Sequence, residues 1–324
     1  MEEYGSGKKS CPMDPYKFLG ITRSADGQLT RKTVLPVVPA GGNDNQRCIS
    51  KDVLLNKTHG TWFRMYRPRD AAIGAKIPVI IYFHGGGFVR FSAASAPFDA
   101  SNRQIARAVP AIVLSVDYRL APEHPLPAAY EDAVEVVKWV RDNHADDEWL
   151  RDLADVSRCF IHGSSAGGNI AYHAALECCS HSDDLRQVNI AGVILDQPYF
   201  GGVERTDSEL RLTDDKIVPL FVADRTWELA LPPGADRDHE YCNPLKAGAE
   251  GRVRRLPRCL VRGHSGDPLL ERQQELVKKL QKCGVHVVTH FRDGFHAIEA
   301  FKPHYARLLV IDVKNFVLGN HSNL

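Results

Sequence analysis

The chain has 324 residues, of which 44% are hydrophobic and 25% charged, a composition typical of a globular protein with a large core. Its 41 basic and 40 acidic residues leave a formal net charge of +1, which argues against a nucleic-acid partner or any other strongly charged partner. No apolar run reaches the length of a membrane-spanning helix, and residues 1–20 carry charges and proline in place of the apolar core of a secretion signal.

The 8 cysteines are scattered, with no C-x-x-C pair and no metal-ligand spacing of Cys and His. We expect free thiols in a reducing compartment, and therefore a cytoplasmic protein that binds no metal.

In chain order, the first predicted structure is a pair of short strands within residues 20–37, around the turn at Asp26-Gly27. Hydrophobic patterns predict further strands at residues 61–66, 78–83, 111–116, 159–162, 190–195, 258–262 and 286–291. They predict helices at residues 130–141, 168–178, 269–282 and 304–316. Because strands and helices alternate, we expect an α/β fold with a mostly parallel sheet and helices on both faces. The alternating pattern of residues 61–66 predicts an edge strand.

Residues 200–251 break this rhythm, since they are rich in Pro, Asp and Arg. Two short helical pieces are expected there, near Asp214 and near Arg225. We interpret the stretch as an insertion above the sheet that forms a lid or a binding wall, within one domain spanning residues 1–324.

The run Gly163-Ser164-Ser165-Ala166-Gly167 is a G-x-S-x-G motif between a predicted strand and a predicted helix. In such a turn the glycines let the strand and the helix approach closely, while the serine hydroxyl is exposed on a strained backbone. A serine needs an adjacent base and a site for developing negative charge before it becomes a good nucleophile. Ser165 is the candidate nucleophile. The competing interpretation is a Gly/Ser-rich turn without chemistry.

The run His84-Gly85-Gly86-Gly87-Phe88 follows another buried strand. Three successive glycines cost backbone entropy, so their presence indicates that the backbone must approach something closely. In such a loop the N–H groups of Gly86 and Gly87 can meet the N–H of Ala166 where an oxyanion would form. We expect His84 to have a structural role, because it precedes the nucleophile in the chain.

The base and its orienting acid are expected after the nucleophile, in the order Ser, acid, His. His296 fits the base, because it lies in the loop between the predicted strand 286–291 and the last helix. Asp267 fits the acid, since it follows the strand 258–262, although a helix N-cap is its alternative role. Asp293 is the second choice for the acid.

Together with Asp117-Tyr118-Arg119-Leu120-Ala121-Pro122-Glu123 and Gly266-Asp267-Pro268-Leu269, these motifs resemble the hormone-sensitive-lipase group of α/β-hydrolases, and the plant carboxylesterases most closely. The resemblance extends over residues 14–317. It implies an α/β-hydrolase fold with a triad of Ser165, Asp267 and His296, and an oxyanion hole of Gly86, Gly87 and Ala166 in a loop that Gly85 completes. It also implies a lid formed by about residues 1–40 and 200–251. The chain departs from many relatives at Ser164, where they have Asp, and at Ala297, where they have Gly.

A substrate pocket is expected under this lid. Its candidate wall residues are Phe88, Phe91, Ser164, Tyr199, Phe200, Val218 and Phe221. For each aromatic or aliphatic member, ordinary core packing is the alternative.

The resemblance implies a serine carboxylesterase that needs no cofactor and acts on a small apolar ester, such as an acetyl or methyl ester of a plant alkaloid intermediate. Two other functions remain open on the same fold. One is a hormone receptor that binds without hydrolysis, and the other is an alkaloid cyclase or eliminating enzyme. A monomer and a homodimer are both compatible with the sequence.

Overall fold

A computed structural model of the chain describes residues 14–32, 35–42, 47–72, 74–185, 187–246, 248 and 250–319. The strands are β1 Ile21–Arg23, β2 Leu29–Arg31, β3 Cys48–Asn56, β4 Thr61–Pro68, β5 Ile77–Phe83, β6 Ile112–Asp117, β7 Ala154–Ser164, β8 Ile190–Asp196, β9 Cys259–His264 and β10 Val287–Arg292. The α-helices are α1 Pro15–Leu19, α2 Ala96–Ala108, α3 Ala128–Asn143, α4 Glu148–Leu153, α5 Ala166–Ser180, α6 Asp207–Arg211, α7 Leu220–Ala230, α8 Glu250–Val253, α9 Leu270–Lys282 and α10 Pro303–Leu318.

A single eight-stranded sheet organises the molecule, with the strand order β10-β9-β8-β7-β5-β6-β4-β3. The six strands from β10 to β6 are mutually parallel, and β4 is antiparallel to both of its neighbours. β1 and β2 form a separate antiparallel hairpin, as predicted. The mostly parallel sheet expected from the sequence is confirmed.

Helices cover both faces of this sheet. On β5 the side chains of Val79, Ile81 and Phe83 join the core shared with α3, α5 and α9. The intervening Ile80 and Tyr82 join a second core shared with α2 and α10. Both faces of the central strands are therefore apolar, and the carboxyl ends of the parallel strands lie at one edge, where sites of α/β proteins form.

The prediction that residues 61–66 form an edge strand is wrong. They belong to β4, which lies between β6 and β3. The edge strand on this side of the sheet is β3, which the sequence did not predict. The polar residue Arg64 does not face solvent. It is buried, and its guanidinium pairs with Asp52 at 2.7 Å and with Asp99 at 3.1 Å. Because Arg64 is buried in ion pairs, a buried strand has the alternating apolar and polar pattern of an exposed strand.

The insertion at residues 200–251 contains α6 and α7. α6 ends at Arg211, near Asp214 as predicted, and Thr206 and Glu209 form the capping box at its start. α7 packs against α1, and the Arg225 guanidinium lies 5.4 Å from the Tyr16 ring. The insertion and the N-terminal segment therefore touch each other. Residues 1–13, 33, 34, 247 and 249 of the predicted lid lie outside the described residues.

No helix in the described ranges combines the length and the apolar character needed to cross a lipid bilayer.

Candidate active site

Ser165 occupies the turn between the last residue of β7 and the first residue of α5. Its backbone angles, φ 56° and ψ −118°, are strained for a residue with a side chain. The strand and the helix can meet at this angle only without side chains, since a Cβ on Gly163 would lie 1.8 Å from the Gly167 carbonyl oxygen. The Ser165 N–H donates to the carbonyl of Asp196 at 2.9 Å, which ties the turn to β8. The hydroxyl is thereby presented at the carboxyl edge of the sheet.

The structure brings together the three residues predicted as a triad. The Ser165 Oγ lies 2.9 Å from Nε2 of His296, and Nδ1 of His296 lies 2.8 Å from Oδ2 of Asp267. Ser165 comes from the elbow, which is the turn at residues 163–168 between β7 and α5. Asp267 and His296 come from the loops after β9 and β10. The order and geometry match a hydroxyl, an imidazole that takes its proton, and a carboxylate that orients the imidazole.

The N-cap of α9 is Leu269, so the alternative role predicted for Asp267 is not found. The Asp267 Oδ1 accepts the N–H of Leu269 at 2.9 Å just before α9, while its Oδ2 faces His296. The second choice, Asp293, accepts a hydrogen bond from the Ser265 hydroxyl at 3.1 Å. In the described part of the chain no contact links the Asp293 carboxylate to His296.

Two opposed effects act on the pKa of His296. Burial lowers this pKa, but the charge of Asp267 and the hydrogen bond to it raise the pKa by more, so the net value lies above the ordinary 6.5. The imidazole is therefore a better proton acceptor from Ser165 than a free histidine would be.

The glycine loop after β5 lies directly against the elbow. A Cβ on Gly85 would stand 3.2 Å from the Ser165 Cβ, and one on Gly86 would stand 2.5 Å from the Arg90 carbonyl oxygen. Gly86 and Gly87 have φ of 121° and 63°, a region that favours glycine. Within the described residues, no protein acceptor takes the N–H of Gly86, Gly87 or Ala166. These three N–H groups are available to an oxyanion.

His84 is held away from the serine by its own contacts. Its Nδ1 lies 2.8 Å from the Gly85 carbonyl oxygen, and its ring stacks on Tyr118 with centroids 4.4 Å apart. Burial lowers the pKa of His84 below its ordinary value, which favours the neutral ring. These contacts shape the glycine loop, in agreement with the expected structural role.

The candidate pocket-wall residues fall into two groups. Phe88, Tyr199 and Phe200 are buried, and Tyr199 stacks on Trp227 with centroids 4.8 Å apart. In this structure these three are core residues. Val218 and Phe221 are half-buried beside the start of α7, and Phe91 is half-buried with its ring centroid 5.9 Å from that of Phe98.

Ser164 is also engaged, because its hydroxyl donates to Oδ2 of Asp196 at 3.3 Å. An Asp at position 164 would place a second carboxylate against Asp196. The serine therefore suits this neighbour.

Two glutamines that sequence analysis missed also contact the site. The Gln273 amide donates to Oδ2 of Asp267 at 3.1 Å, and the Gln197 side chain accepts the N–H of Ala297 at 2.7 Å. Gln197 directly follows the buried strand β8, at the carboxyl edge of the sheet, and this position was the available signal. Gln273 lies inside α9, where the sequence carries no comparable signal.

Three comparisons show which known proteins this chain is similar to in sequence and fold. A family model described as alpha/beta hydrolase fold matches residues 80–300. The chain is 48% identical to a probable carboxylesterase 8 of Arabidopsis thaliana, over 94% of this chain and 93% of that protein. It is 44% identical to a 3-O-acetylpapaveroxine carboxylesterase of Papaver somniferum, over 94% of this chain and 99% of that protein. Its fold matches a hyperthermophilic esterase of the archaeon Pyrobaculum calidifontis with a TM-score of 0.70 and 28% identity, over 87% of this chain and 86% of the other.

Proposed function

The chain belongs to the α/β-hydrolase fold family and is a carboxylic ester hydrolase, and from this premise we propose that it is a serine esterase using Ser165, His296 and Asp267. The observation that carries the proposal is the continuous hydrogen-bonded path from the Ser165 Oγ through His296 to Asp267. At the Ser165 end of this path are the N–H groups of Gly86, Gly87 and Ala166, which have no acceptor among the described residues.

In the proposed reaction, the Ser165 oxygen attacks the ester carbonyl carbon while Nε2 of His296 takes the hydroxyl proton. The carbonyl oxygen becomes an oxyanion and accepts hydrogen bonds from the N–H groups of Gly86, Gly87 and Ala166. The imidazolium then gives its proton to the leaving alcohol, which departs and leaves the acyl group on Ser165. Water, deprotonated by His296, cleaves this acyl-enzyme and restores the serine.

The proposed substrate is a small apolar ester, and more narrowly an acetyl or methyl ester of a plant specialised metabolite such as an alkaloid intermediate. The acylating step needs only a carbonyl that reaches Ser165, so it does not select among these esters. The narrower class is supported by the Papaver relative, whose name describes an acetylated alkaloid as its substrate. We place the determinants of size in the lid, formed by about residues 1–40 and 200–251, where the apolar side chains of Val218 and Phe221 are only half-buried.

Labelling by a fluorophosphonate probe tests the nucleophile. The wild-type protein should take one label on the peptide containing Ser165, and Ser165→Ala should take none. Ser164→Ala is the matched control and should still be labelled. A folded wild-type protein whose Ser165 stays unmodified would contradict the esterase and favour a receptor that binds without hydrolysis.

Mass analysis of products from acetyl and methyl esters of alkaloids tests the substrate class. Release of acetate or methanol supports hydrolysis, whereas a product of unchanged total mass would identify a cyclase or another isomerising enzyme.

A further inference from the structure

A buried polar network, which the proposed reaction steps do not use, lies beneath the catalytic serine and histidine. It consists of Asp196, Gln197, Arg262, His264 and Glu299, all buried or nearly so. Buried polar groups are costly unless they are fully hydrogen-bonded, and a satisfied network specifies one arrangement of the segments that carry it. The segments joined here are those that carry the three triad residues.

Gln197 makes the contact closest to the base. Its Oε1 accepts the N–H of Ala297, the residue after His296, at 2.7 Å. Its Nε2 donates to Oε2 of Glu299 at 2.7 Å, and its own N–H donates to the Arg262 carbonyl at 2.9 Å. The oxygen and the nitrogen of the side-chain amide therefore each have a hydrogen-bond partner, and only this orientation of the amide satisfies both.

Gln197 also stands next to the nucleophile. The preceding residue, Asp196, accepts the N–H of Ser165 at 2.9 Å. One dipeptide at the end of β8 thus holds the backbone of the serine on one side and the backbone after the histidine on the other.

Glu299 extends the network to the third loop. Its Oε1 lies 3.0 Å from the Arg262 guanidinium and 3.0 Å from Nε2 of His264. The His264 carbonyl accepts the N–H of Asp267 at 3.1 Å. The network therefore reaches the backbone of Ser165, of Asp267 and of Ala297, the residue after His296.

Backbone strain marks the same contact. Gln197 and Ala297 have φ of 48° and 59°, values that side-chain-bearing residues rarely adopt. Strained residues persist when their surroundings hold them, and here the Gln197 amide captures the N–H of Ala297. The conformation of the segment after His296 is thus tied to Gln197.

We propose that Gln197, with Glu299 orienting its amide, is a positioning residue that sets the distance between His296 and Ser165. This inference rests on the proposed function, since it concerns the geometry of the same triad. Loss of the contact lets the 296–297 segment move, and a misplacement of about 1 Å can lower a rate up to roughly a hundredfold. Because the Gln197 side chain is buried, we expect no contact with the substrate, so KM should change little while kcat falls.

Three variants test this proposal. Gln197→Met removes both hydrogen bonds at nearly constant volume. Gln197→Glu keeps an oxygen that accepts the N–H of Ala297, but it replaces the donor to Glu299 by a second carboxylate, which repels the first. The double variant Gln197→Glu with Glu299→Gln exchanges donor and acceptor, so the pair keeps its hydrogen bond and its net charge. Gln187→Met is the matched control, because this exposed glutamine contacts His144 on the surface.

Rates are measured per active site, after fluorophosphonate titration to its end point, which removes any unfolded fraction from the comparison. Both single variants should lose about ten- to a hundredfold in kcat at nearly unchanged KM. The double variant should recover most of the kcat lost in Gln197→Glu, and the control should match wild type.

Wild-type kcat per titrated site in Gln197→Met would overturn the proposal, since the residue would then have only a structural role. If Gln197→Met does not fold, the test is the ratio of kcat between the double variant and Gln197→Glu. Equally low kcat values in these two variants would also overturn the proposal. A wild-type protein that neither takes the label nor cleaves esters would instead contradict the proposed function. The two failures are therefore distinguishable.

Discussion

The elbow at residues 163–168 and the insertion at residues 200–251 lie against the same glycine loop, but different forces hold them. At the elbow, backbone meets backbone so closely that a methyl group on Gly163 would overlap the Gly167 carbonyl. In the insertion the contacts are made by side chains: Val222 and Trp227 are buried, and Asp224 joins Arg205 at 2.6 Å and Arg237 at 2.7 Å, with these three charged side chains partly exposed. Exposed ion pairs of this kind contribute about 0–1 kcal/mol each.

Because of this difference, the contacts that position Ser165 are separate from the insertion side chains that we expect to select the substrate. The position of Ser165 depends on sterics, which salt and pH do not weaken. The insertion can exchange side chains such as Phe221 without disturbing the turn that holds the nucleophile. Substitutions in the two regions should therefore affect different kinetic constants.

Asp267→Asn is expected to have the largest effect of the substitutions below. The amide can no longer hold His296 in the tautomer that accepts the Ser165 proton, and a loss of about 10⁴-fold in kcat is expected. Steady-state kinetics on an aryl acetate measures it. Asp293→Asn is the control, because this carboxylate contacts Ser265. An equal loss in the two variants would contradict the assignment of the acid.

Gly163→Ala should be the next most damaging change, because the new Cβ would stand 1.8 Å from a carbonyl oxygen. We expect a loss of about 3 kcal/mol or more in the free energy of unfolding, together with a loss of activity. Denaturant titration measures the first quantity.

Gly251→Ala supplies the matched control in the insertion, since no atom lies within 4 Å of its Cβ position. It lies in α8, where Ala is favoured over Gly by up to about 1 kcal/mol, so its stability should equal or exceed that of wild type. Equal destabilisation of both variants would remove the contrast between the two regions.

The pH dependence should follow His296, whose pKa lies above 6.5. The base must be neutral, so kcat/KM should fall about tenfold per pH unit below this pKa and level off above it. The effect of His296 on folding stability has the opposite dependence on pH. Because its pKa is higher in the folded protein, protonation stabilises the folded state below the unfolded pKa, and this stabilisation is lost as pH rises through the folded pKa. A pH–rate profile whose acidic limb lies below pH 6.5 would show that Asp267 does not raise the pKa as described.

Phe221→Ala should have the smallest effect. It removes part of a half-buried wall, so KM for a butyryl ester should rise several-fold, within the roughly 1–3 kcal/mol that apolar pocket contacts supply, while kcat for an acetyl ester changes little. Leu210→Ala, which truncates an exposed side chain of α6, should leave both constants unchanged. A fall in kcat for the acetyl ester would place Phe221 in the chemistry.

Much of the fold and the candidate site could be predicted, because those features leave local signals. Continuous apolar runs mark β5 and β6, and the motifs around Gly86 and Ser165 have fixed spacing. The rest depends on tertiary partners. Arg64 reads as a surface residue until Asp52 and Asp99 are brought to it, and this made β4 resemble an edge strand. Gln197 has no motif at all, since its role depends on the loop that returns a hundred residues later with Ala297.

The central claim is that Ser165 forms an acyl-enzyme beneath the glycine loop. An aryl carbamate tests it most directly, because it transfers a carbamoyl group to a catalytic serine and the product hydrolyses slowly. Peptide mapping of the quenched reaction should find one carbamoyl group on Ser165, with stoichiometric release of the phenol, and none in Ser165→Ala. Release of the phenol with Ser165 unmodified, or carbamoylation of another residue that accounts for the release, would contradict the account.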